Sequence, residues 1–351
     1  MNVKLGILAE LVLVATVIVL ALYFGVTSSG ITTTQYQLTL DLLLVVTSAT
    51  SVIMLYLFYK TFGVQRSYRV AVIGFQRSGK TTLITSLFGE SFARRLGISG
   101  YLVPRGTLTI EKVNKYLEQL RKGKAIGPTH DQDMFAFRAD AVYGRLPLRT
   151  TVRLEFGDFP GHLSEEYVDQ MAVLHNNDFF RWVADSDAII FVVDLGCYLS
   201  NFRAKKDYVA EVTSIFRAEW QQYLDTNRYR LKEVRRHPVL IVFNKSDLIC
   251  RLSDKISLAS IEMMTHDEVK SIEDTARDLA FGEKIPPIIE LDKMRLNSEE
   301  EVIERDFAEL IEYFKFEASR TDVVFTSSFG TLNGRRLGMG MLFLQVLKGA
   351  I

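Results

Sequence analysis

Hydrophobic and polar positions divide the chain into an apolar N-terminal part and a more polar remainder. Residues 5–24 carry a single charge, Glu10, near their start, and residues 42–59 carry none. As helices these runs would be roughly 27–30 Å long, which matches the hydrocarbon thickness of a bilayer. Residues 25–37 between them are uncharged and mostly polar, and Asp41 is expected at the polar edge of the second run. The pattern therefore predicts two transmembrane helices that form a hairpin in a lipid bilayer.

Charges that flank the two runs predict their orientation. Lys4 precedes the first run, Lys60, Arg66 and Arg69 follow the second, and the connecting residues contain neither Lys nor Arg. Because short cytoplasmic segments of membrane proteins are enriched in Lys and Arg, both termini are expected in the cytoplasm. Two alternatives stay open. The first run could be a cleaved signal peptide, although the apolar core of those is usually only about 7–15 residues, and either run could be a buried core helix.

From residue 67 onwards, short apolar runs alternate with segments of helical periodicity. Strands are predicted at residues 69–74, 134–143, 148–157, 187–194, 238–243 and 322–326. Helices are predicted at residues 80–88 (ended by Gly89), 108–120, 208–224 and 337–347. This alternation predicts a three-layer α/β fold with a mostly parallel sheet and helices on both faces.

Composition narrows the function classes. The chain has 42 basic and 42 acidic side chains, so its net charge is zero and no basic field points to a nucleic-acid partner. Its two cysteines, Cys197 and Cys250, are far apart in sequence, which predicts neither a disulfide framework nor a zinc site.

A glycine-rich stretch between the first strand and the first helix carries the clearest chemistry. The sequence GFQRSGKTT fits the pattern G-x-x-x-x-G-K-[S/T] in the strand–helix context that this pattern requires. Its glycines would let the backbone N–H groups and the helix N-terminus face phosphate. Lys80 would supply positive charge to the β- and γ-phosphates, and the Thr81 hydroxyl would bind Mg²⁺. The candidate nucleotide-binding residues here are Gly74, Gln76, Arg77, Ser78, Gly79, Lys80, Thr81 and Thr82.

Three further motifs each follow a predicted strand. The carboxylate of Asp158, in the sequence DFPGH, could hold Mg²⁺, and the N–H of Gly161 could reach a γ-phosphate. In the sequence NKSD, Asp247 could accept two hydrogen bonds from guanine N1–H and the exocyclic amine, a donor pair that adenine lacks. A backbone N–H at Ser327 or Ser328 could reach guanine O6. Together the motifs predict GTP or GDP with Mg²⁺ as the ligand.

In this order, GxxxxGKT, DxPG, NKxD and TSS resemble the G motifs of Ras-like P-loop GTPases of the translation-factor-related class. The combination of DFPGH with an N-terminal membrane anchor is similar to the beta subunit of the signal recognition particle receptor. The resemblance covers residues 67–350 and implies a GTPase domain over residues 67–351. The sequence DxPGH also occurs in translational GTPases. Two membrane spans and two expected helical insertions, at about residues 91–126 and 248–320, depart from this family and from the receptor subunit. A prokaryotic membrane-associated GTPase of another family fits the residues equally well.

The resemblance also implies roles for individual residues. Asn244, Lys245 and Asp247 would recognise the base, and His162 would orient the attacking water. The switch threonine that closes over Mg²⁺ would be Thr129, which lies just before a predicted strand. Earlier threonines at positions 107 and 109 are expected to lie within the first insertion.

Two side chains of the phosphate loop differ from the small residues usual in Ras-type proteins. Gln76 would lie near the γ-phosphate, where it could help to position water or obstruct an arginine supplied by a partner. Arg77 could reach phosphate, face a partner or point to solvent.

These residues predict a membrane-anchored GTPase that switches between GTP and GDP states on the cytoplasmic face and acts on a protein effector. Two alternatives remain. One is a GTP-bound receptor or scaffold with negligible hydrolysis that recruits a partner. The other is a membrane ATPase of another P-loop class, against which Asp247 argues. Each insertion is interpreted either as solvated helices or as a docking surface.

Overall fold

The computed structural model describes residues 67–97, 100–127, 135–144, 150–158, 182–253, 264–282 and 285–350, together with Val45. All of these except Val45 belong to one structural unit, Ser67–Ile351. The predicted transmembrane segments, apart from Val45, lie outside the described residues. Within the described residues, no helix combines the length and the apolar character that crossing a membrane requires.

Strands in the described part of the chain form a large sheet and a small one. Their bounds are β1 (Tyr68–Gly74), β2 (Gly100–Pro104), β3 (Phe135–Tyr143), β4 (Thr150–Asp158), β5 (Ala188–Asp194), β6 (Val239–Asn244), β7 (Ile289–Glu290), β8 (Thr321–Thr326), β9 (Gly330–Leu332) and β10 (Arg335–Arg336). The large sheet has the order β2-β3-β4-β1-β5-β6-β8. Strand β1 pairs in parallel with β4 and β5, and β6 pairs in parallel with β5 and β8. Only the β2–β3 and β3–β4 pairings within this sheet are antiparallel.

Alternation of side chains along β1 explains why the sheet is covered on both faces. Val70 and Val72 pack into the hydrophobic cluster on one face, whereas Ala71 and Ile73 pack into the cluster on the other. Strands β5 and β6 are buried along their whole length. Near-continuous apolar runs of this kind are required where parallel strands are covered by helices on both sides.

Helices lie on both faces of the large sheet. Their bounds are α1 (Lys80–Phe92), α2 (Thr107–Arg121), α3 (Leu195–Ser200), α4 (Lys205–Thr226), α5 (Leu231–Val234), α6 (Asp247–Ser253), α7 (His266–Phe281), α8 (Lys293–Asp306), α9 (Ala308–Glu317) and α10 (Met339–Ala350). Phe88 of α1 and Phe343 of α10 belong to the cluster on one face. Trp220 of α4 and Phe314 of α9 belong to the cluster on the other. These layers confirm the predicted α/β fold with a mostly parallel sheet.

An aromatic cluster holds α4 and α9 against the centre of the sheet. The ring of Phe191, in β5, stacks on Phe216 of α4 with 4.7 Å between centroids. Phe314 of α9 lies 5.0 Å from Phe191 and contacts Trp220 edge-on at 5.9 Å. Each such pair contributes about 0.5–1.5 kcal/mol beyond the burial of its area. The packing therefore fixes β5, whose last residue lies at the candidate site.

One prediction about α1 and one about the first insertion need correction. Gly89 does not end α1, which continues to Phe92. A Cβ at Gly89 would lie 3.0 Å from Leu117 Cδ2, so the glycine marks the close approach of α1 and α2. Residues 91–126 are also not wholly helical, because they contain β2, which extends the sheet beyond β3. A five-residue strand with a glycine and a proline at its ends gives only a weak sequence pattern.

Residues 248–320 contain most of α6 and all of α7 to α9, but they also contribute β7 to the small sheet. Strand β7 pairs in parallel with β9, and β9 pairs in an antiparallel manner with β10. Strands β9 and β10 follow the last strand of the large sheet and were not predicted. The small sheet therefore connects the second insertion to the loop that begins at Ser327.

Candidate functional site

The loop between β1 and α1 presents the N-terminus of α1 to the carboxyl edge of the sheet. Gly79, the residue before the helix, has a φ of +84°, and Arg77 has a φ of 63°. A Cβ at Gly79 would lie 2.7 Å from Asn244 Nδ2, so both the conformation and the space require glycine. The first N–H groups of a helix have no partner within it, and together with the helix dipole they attract anions.

Lys80 is buried at the first position of α1. Its ammonium group donates hydrogen bonds to the carbonyls of Gly74 and Phe75, both at 2.9 Å. Burial lowers the pKa of Lys80 to about 8, although the nearby carboxylates of Asp158 and Asp194 act in the opposite direction. The loop therefore holds a cation whose charge is only partly balanced, next to the helix N-terminus.

Thr81 and Asp158 bring two oxygen ligands together beside this loop. The Thr81 hydroxyl donates a hydrogen bond to Asp158 Oδ2 at 2.7 Å, and Asp158 is only 3% exposed. Hydroxyl and carboxylate oxygens suit Mg²⁺, which usually takes one or two protein ligands and completes its shell with water and substrate phosphates. Within the described residues, no group of three or more His, Cys, Asp or Glu side chains could hold a metal ion. The pair thus fits a Mg²⁺ ion that shares its coordination with phosphate.

Asn244, the last residue of β6, connects the phosphate loop to two strands. Its side-chain amide donates to the carbonyl of Ser78 at 2.8 Å, and its carbonyl oxygen accepts from the Thr326 hydroxyl at 3.2 Å. Asn244 also pairs in register with Asp194 of β5 and Thr326 of β8. All four residues are at most 3% exposed. Because these bonds are buried, they fix the loop relative to the sheet.

The next residue, Lys245, has a φ of 66° and forms a partly buried ion pair with Asp194. Its ammonium donates to Asp194 Oδ2 at 2.9 Å and lies 4.3 Å from the centroid of the Phe281 ring. The other oxygen of Asp194 accepts from the N–H of Gly196 at 2.7 Å and so caps α3. The pair positions the side chain of Lys245 between the end of β5 and the end of α7.

Asp247 is held on both carboxylate oxygens. Ser327 Oγ donates to Oδ1 at 2.6 Å, and Arg251 Nε donates to Oδ2 at 2.9 Å. Ser327 Oγ in turn accepts from the N–H groups of Phe329 and Gly330 at 3.0 and 2.7 Å. Each carboxylate oxygen has two lone pairs and can therefore accept more than one hydrogen bond. The group therefore has a fixed plane and can still accept hydrogen bonds from a ligand.

A cavity of about 380 Å³ extends from the phosphate loop to Asp247, a size typical of small-molecule sites. One end is lined by Gln76, Arg77, Gly79, Lys80, Thr81 and Thr82. Asn244 and Lys245, which lie next to Gly79, also line the cavity, together with Asp247, Leu248, Ser328 and Phe329. Ser328 is 5% exposed, and its Oγ has no hydrogen-bond partner within the described residues. A buried hydroxyl of this kind fits a polar ligand at this end of the cavity.

The structure places the sequence-predicted residues in three groups. Those that line the cavity are Gln76, Arg77, Gly79, Lys80, Thr81, Thr82, Asn244, Lys245, Asp247 and Ser328. Gly74, Ser78, Asp158 and Ser327 are not part of the lining, but each contacts a residue that is. Thr129, Gly161 and His162 lie outside the described residues, so their roles stay predictions.

Several residues of the site were not predicted from the sequence. Asp194 and Arg251 hold Lys245 and Asp247, and the cavity is also lined by parts of both insertions. The first insertion contributes Leu120, Ala125 and Ile126, Gly127 follows it, and the second insertion contributes Leu279, Ala280, Phe281, Gly282, Ile285 and Pro286. Asp194 could have been predicted as a site residue, because it is an acidic residue at the end of a buried strand. The apolar residues of the two insertions form no sequence pattern that indicates a binding site.

No family model matches the chain, and no curated protein does. Two solved structures that resemble it are a mutation variant of SsGBP and a GTP-binding protein from the hyperthermophilic archaeon Sulfolobus solfataricus in complex with GDP. The first aligns at 16% identity and a TM-score of 0.33 over 81% of this chain and 57% of that chain. The second aligns at 13% identity and a TM-score of 0.31 over 96% of this chain and 65% of that chain. The chain thus spans less than two thirds of either, and similarity at this level assigns no function to it.

The buried ammonium of Lys80 makes stability depend on pH in a predictable direction. Its pKa falls from 10.5 to about 8 on folding, so below pH 8 the native state bears the full penalty of the buried charge. Between about 8 and 10.5 the native state releases the proton first, and the penalty decreases as pH rises. We therefore expect the free energy of unfolding of the wild type, relative to Lys80→Met, to increase from pH 8 to 10.

Urea denaturation of both proteins at half-unit pH intervals measures this difference. Lys348→Met, at an exposed position near the end of α10, controls for the loss of a lysine as such. A difference between the wild type and Lys80→Met that stays constant over the whole range would contradict the prediction.

Proposed function

We propose that this protein binds guanine nucleotides with Mg²⁺, hydrolyses GTP to GDP and works as a nucleotide-dependent switch. The observation that carries the proposal is one cavity that is lined both by the loop before α1 and by the buried carboxylate of Asp247. A nucleoside polyphosphate has the matching layout, because its charged chain and its base lie at opposite ends.

At the phosphate end, positive charge and N–H donors converge. The ammonium of Lys80 can exchange the carbonyls of Gly74 and Phe75 for phosphate oxygens, which are better partners for a cation. Thr81 and Asp158 would hold Mg²⁺, which neutralises charge on the β- and γ-phosphates when it is bound. This arrangement stabilises the charge of the transferring group without any covalent step on the protein.

At the base end, the acceptors select guanine. The carboxylate of Asp247 can accept from N1–H and from the exocyclic 2-amine, whereas adenine has an unprotonated N1 and no amine at that position. The Ser328 hydroxyl, which has no partner within the described residues, lines the same end of the cavity and can bond to the base. Adenine offers no donor to the acceptor positions of Asp247 that Ser327 and Arg251 leave open, so it would bind less favourably than guanine.

Hydrolysis needs a water molecule aligned with the γ-phosphate. Gln76 is exposed and lines the cavity next to the phosphate loop, so its amide can reach that water. In the sequence-based proposal His162 orients the water, and Thr129 and Gly161 contact Mg²⁺ and the γ-phosphate. Asp158 is the first residue of the DFPGH motif, so γ-phosphate contacts would act directly on the segment that follows it.

Membrane attachment forms the second part of the proposal and rests on the sequence. Residues 5–24 and 42–59 have the length and the low charge of membrane spans, and the flanking Lys and Arg residues favour cytoplasmic ends. A tether of this kind would confine the switch to partners at the cytoplasmic face of a membrane.

An alternative function uses the same nucleotide site but does not require GTP hydrolysis. In it, bound GTP allows a partner to dock, and hydrolysis is negligible. The observation that favours it is the side chain at Gln76, since a long side chain in this part of the loop can obstruct an arginine supplied by a partner.

Replacing Asp247 by Asn tests base recognition. Xanthine carries a carbonyl where guanine has its 2-amine, so an amide donor at this position should favour xanthine nucleotides. We expect the Kd for GDP to rise by about 100-fold or more and the Kd for XDP to fall. Isothermal titration with GDP, XDP and ADP measures this, and Asp274→Asn, at an exposed position on α7, is the matched control. Equal affinity of the wild type for ADP and GDP would remove the basis for the proposal.

A measurement of phosphate release distinguishes the switch function from the scaffold function. For the switch, single-turnover GTP hydrolysis by the wild type should be measurable, and His162→Ala should lower it by about 100-fold while GDP affinity is retained. Gln76→Ala reports whether that amide assists or hinders the reaction. A near-zero wild-type rate that neither variant changes would support the scaffold instead.

Arginine substitutions within the predicted spans test membrane insertion. An arginine at the centre of a membrane helix costs about 2.5–3.5 kcal/mol on insertion scales. The full-length protein should therefore resist alkaline carbonate extraction from cell membranes, whereas the Val14→Arg, Val52→Arg double variant should be released. Val14→Leu with Val52→Leu is the control. Extraction of the wild type by carbonate would count against the hairpin.

A further inference from the structure

The base end of the cavity is completed by the second insertion. We use the term insertion wall for Leu279, Ala280, Phe281, Gly282, Ile285 and Pro286, which line the same cavity as Asp247. Four of these residues are apolar and bulky enough to cover the face or edge of a planar base. The wall belongs to neither the phosphate loop nor the base-recognition sequence NKSD.

Arg251 connects this wall to the base-recognition carboxylate. It lies on α6, one helical turn after Asp247, and its side chain is only 9% exposed. Its Nε donates to Asp247 Oδ2 at 2.9 Å, and its Nη2 donates to the carbonyl of Pro287, the residue that follows the wall. One rigid guanidinium therefore holds two elements that are 40 residues apart in sequence.

The wall is fixed at its other contacts as well. Ala280 packs against Gly196 so closely that a Cβ added at Gly196 would lie 2.6 Å from the Ala280 Cβ. After Pro287, the N–H of Ile289 donates to the carbonyl of Phe329 at 3.0 Å, which ties the segment to the loop that carries Ser328. These contacts hold the wall against α3 and against the loop after β8. The bonds of Arg251 to Pro287 and Asp247 add the link that sets the distance between the wall and the Asp247 carboxylate.

We propose that Arg251 is a positioning residue for the guanine base: it aligns the Asp247 carboxylate for two hydrogen bonds and holds the insertion wall over the base. The proposal rests on the proposed function. Ser327 holds Oδ1 and Arg251 holds Oδ2, so loss of Arg251 lets the carboxylate rotate about the remaining bond. Misalignment affects a ligand that needs both hydrogen bonds more than a ligand that needs one.

Comparison of GDP with IDP provides the test, since hypoxanthine retains N1–H but lacks the 2-amine. In full-length Arg251→Gln, we expect the Kd for GDP to rise by about tenfold, mainly through faster dissociation, and the Kd for IDP to rise by less. The preference for GDP over IDP should therefore shrink. Arg251→Lys keeps the charge but presents a single donor group, so it should restore this preference only in part.

A purely structural role for Arg251 predicts a different result. Loss of a purely structural residue would raise the Kd for GDP and the Kd for IDP by the same factor, so their ratio would not change. This outcome would overturn the inference. Arg277→Gln, on the same insertion with a side chain that is 58% exposed, is the control and should leave both Kd values unchanged. If Arg251→Gln does not fold, the ratio measured with Arg251→Lys decides the question in the same way.

The wild-type measurement separates this inference from the proposed function. If the wild type does not prefer GDP to ADP, both fail together. If it prefers GDP to ADP and to IDP, and Arg251→Gln keeps the full preference over IDP, only the role of Arg251 fails.

Discussion

The candidate site depends on the buried amide of Asn244. This side chain donates to the carbonyl of Ser78 in the phosphate loop and accepts from the Thr326 hydroxyl at the end of β8. It therefore joins the element that would hold phosphate to the strands that carry the base-recognition residues. Because both bonds are shielded from water, breaking them would leave buried polar groups unpaired, at a cost of about 1–3 kcal/mol each. The loop and the base end consequently keep a fixed separation, which a nucleotide site needs.

Buried charge at the carboxyl edge of the sheet gives the site its chemistry. Lys80, Asp158, Asp194 and Asp247 are all at most 6% exposed. Charges are tolerated at such burial only when partners compensate them, and here the partners come from different strands and helices. The contact between Thr81 and Asp158 and the ion pair between Lys245 and Asp194 are examples. Burial lowers the pKa of Lys80 more than the carboxylates of Asp158 and Asp194 raise it, so the loop is suited to an anionic ligand.

The second insertion has a structural role that its charge pattern did not indicate. It supplies one wall of the cavity and, through β7, pairs with the strand that follows Ser328. Arg251 and Pro287 link that wall to Asp247. Changes in the insertion, whether by substitution or by a partner that docks on its outer surface, would thus act on the base end of the site rather than on the phosphates.

The sequence by itself determined the order of most strands and helices and identified the phosphate loop, Asp158 and the NKSD motif. These depend on local information: hydrophobic periodicity, glycines that permit a turn, and functional groups at strand ends. It missed β2 and the strands of the small sheet, since strands of two to five residues are stabilised by their neighbours and not by their own pattern. It also placed Gly89 at a helix end, whereas the structure uses that glycine to bring α1 close to α2. Only the tertiary structure decided that Asp194 contacts Lys245 and that Arg251 links the insertion wall to the site, because these contacts join residues 51 and 36 positions apart and are set by how the layers pack.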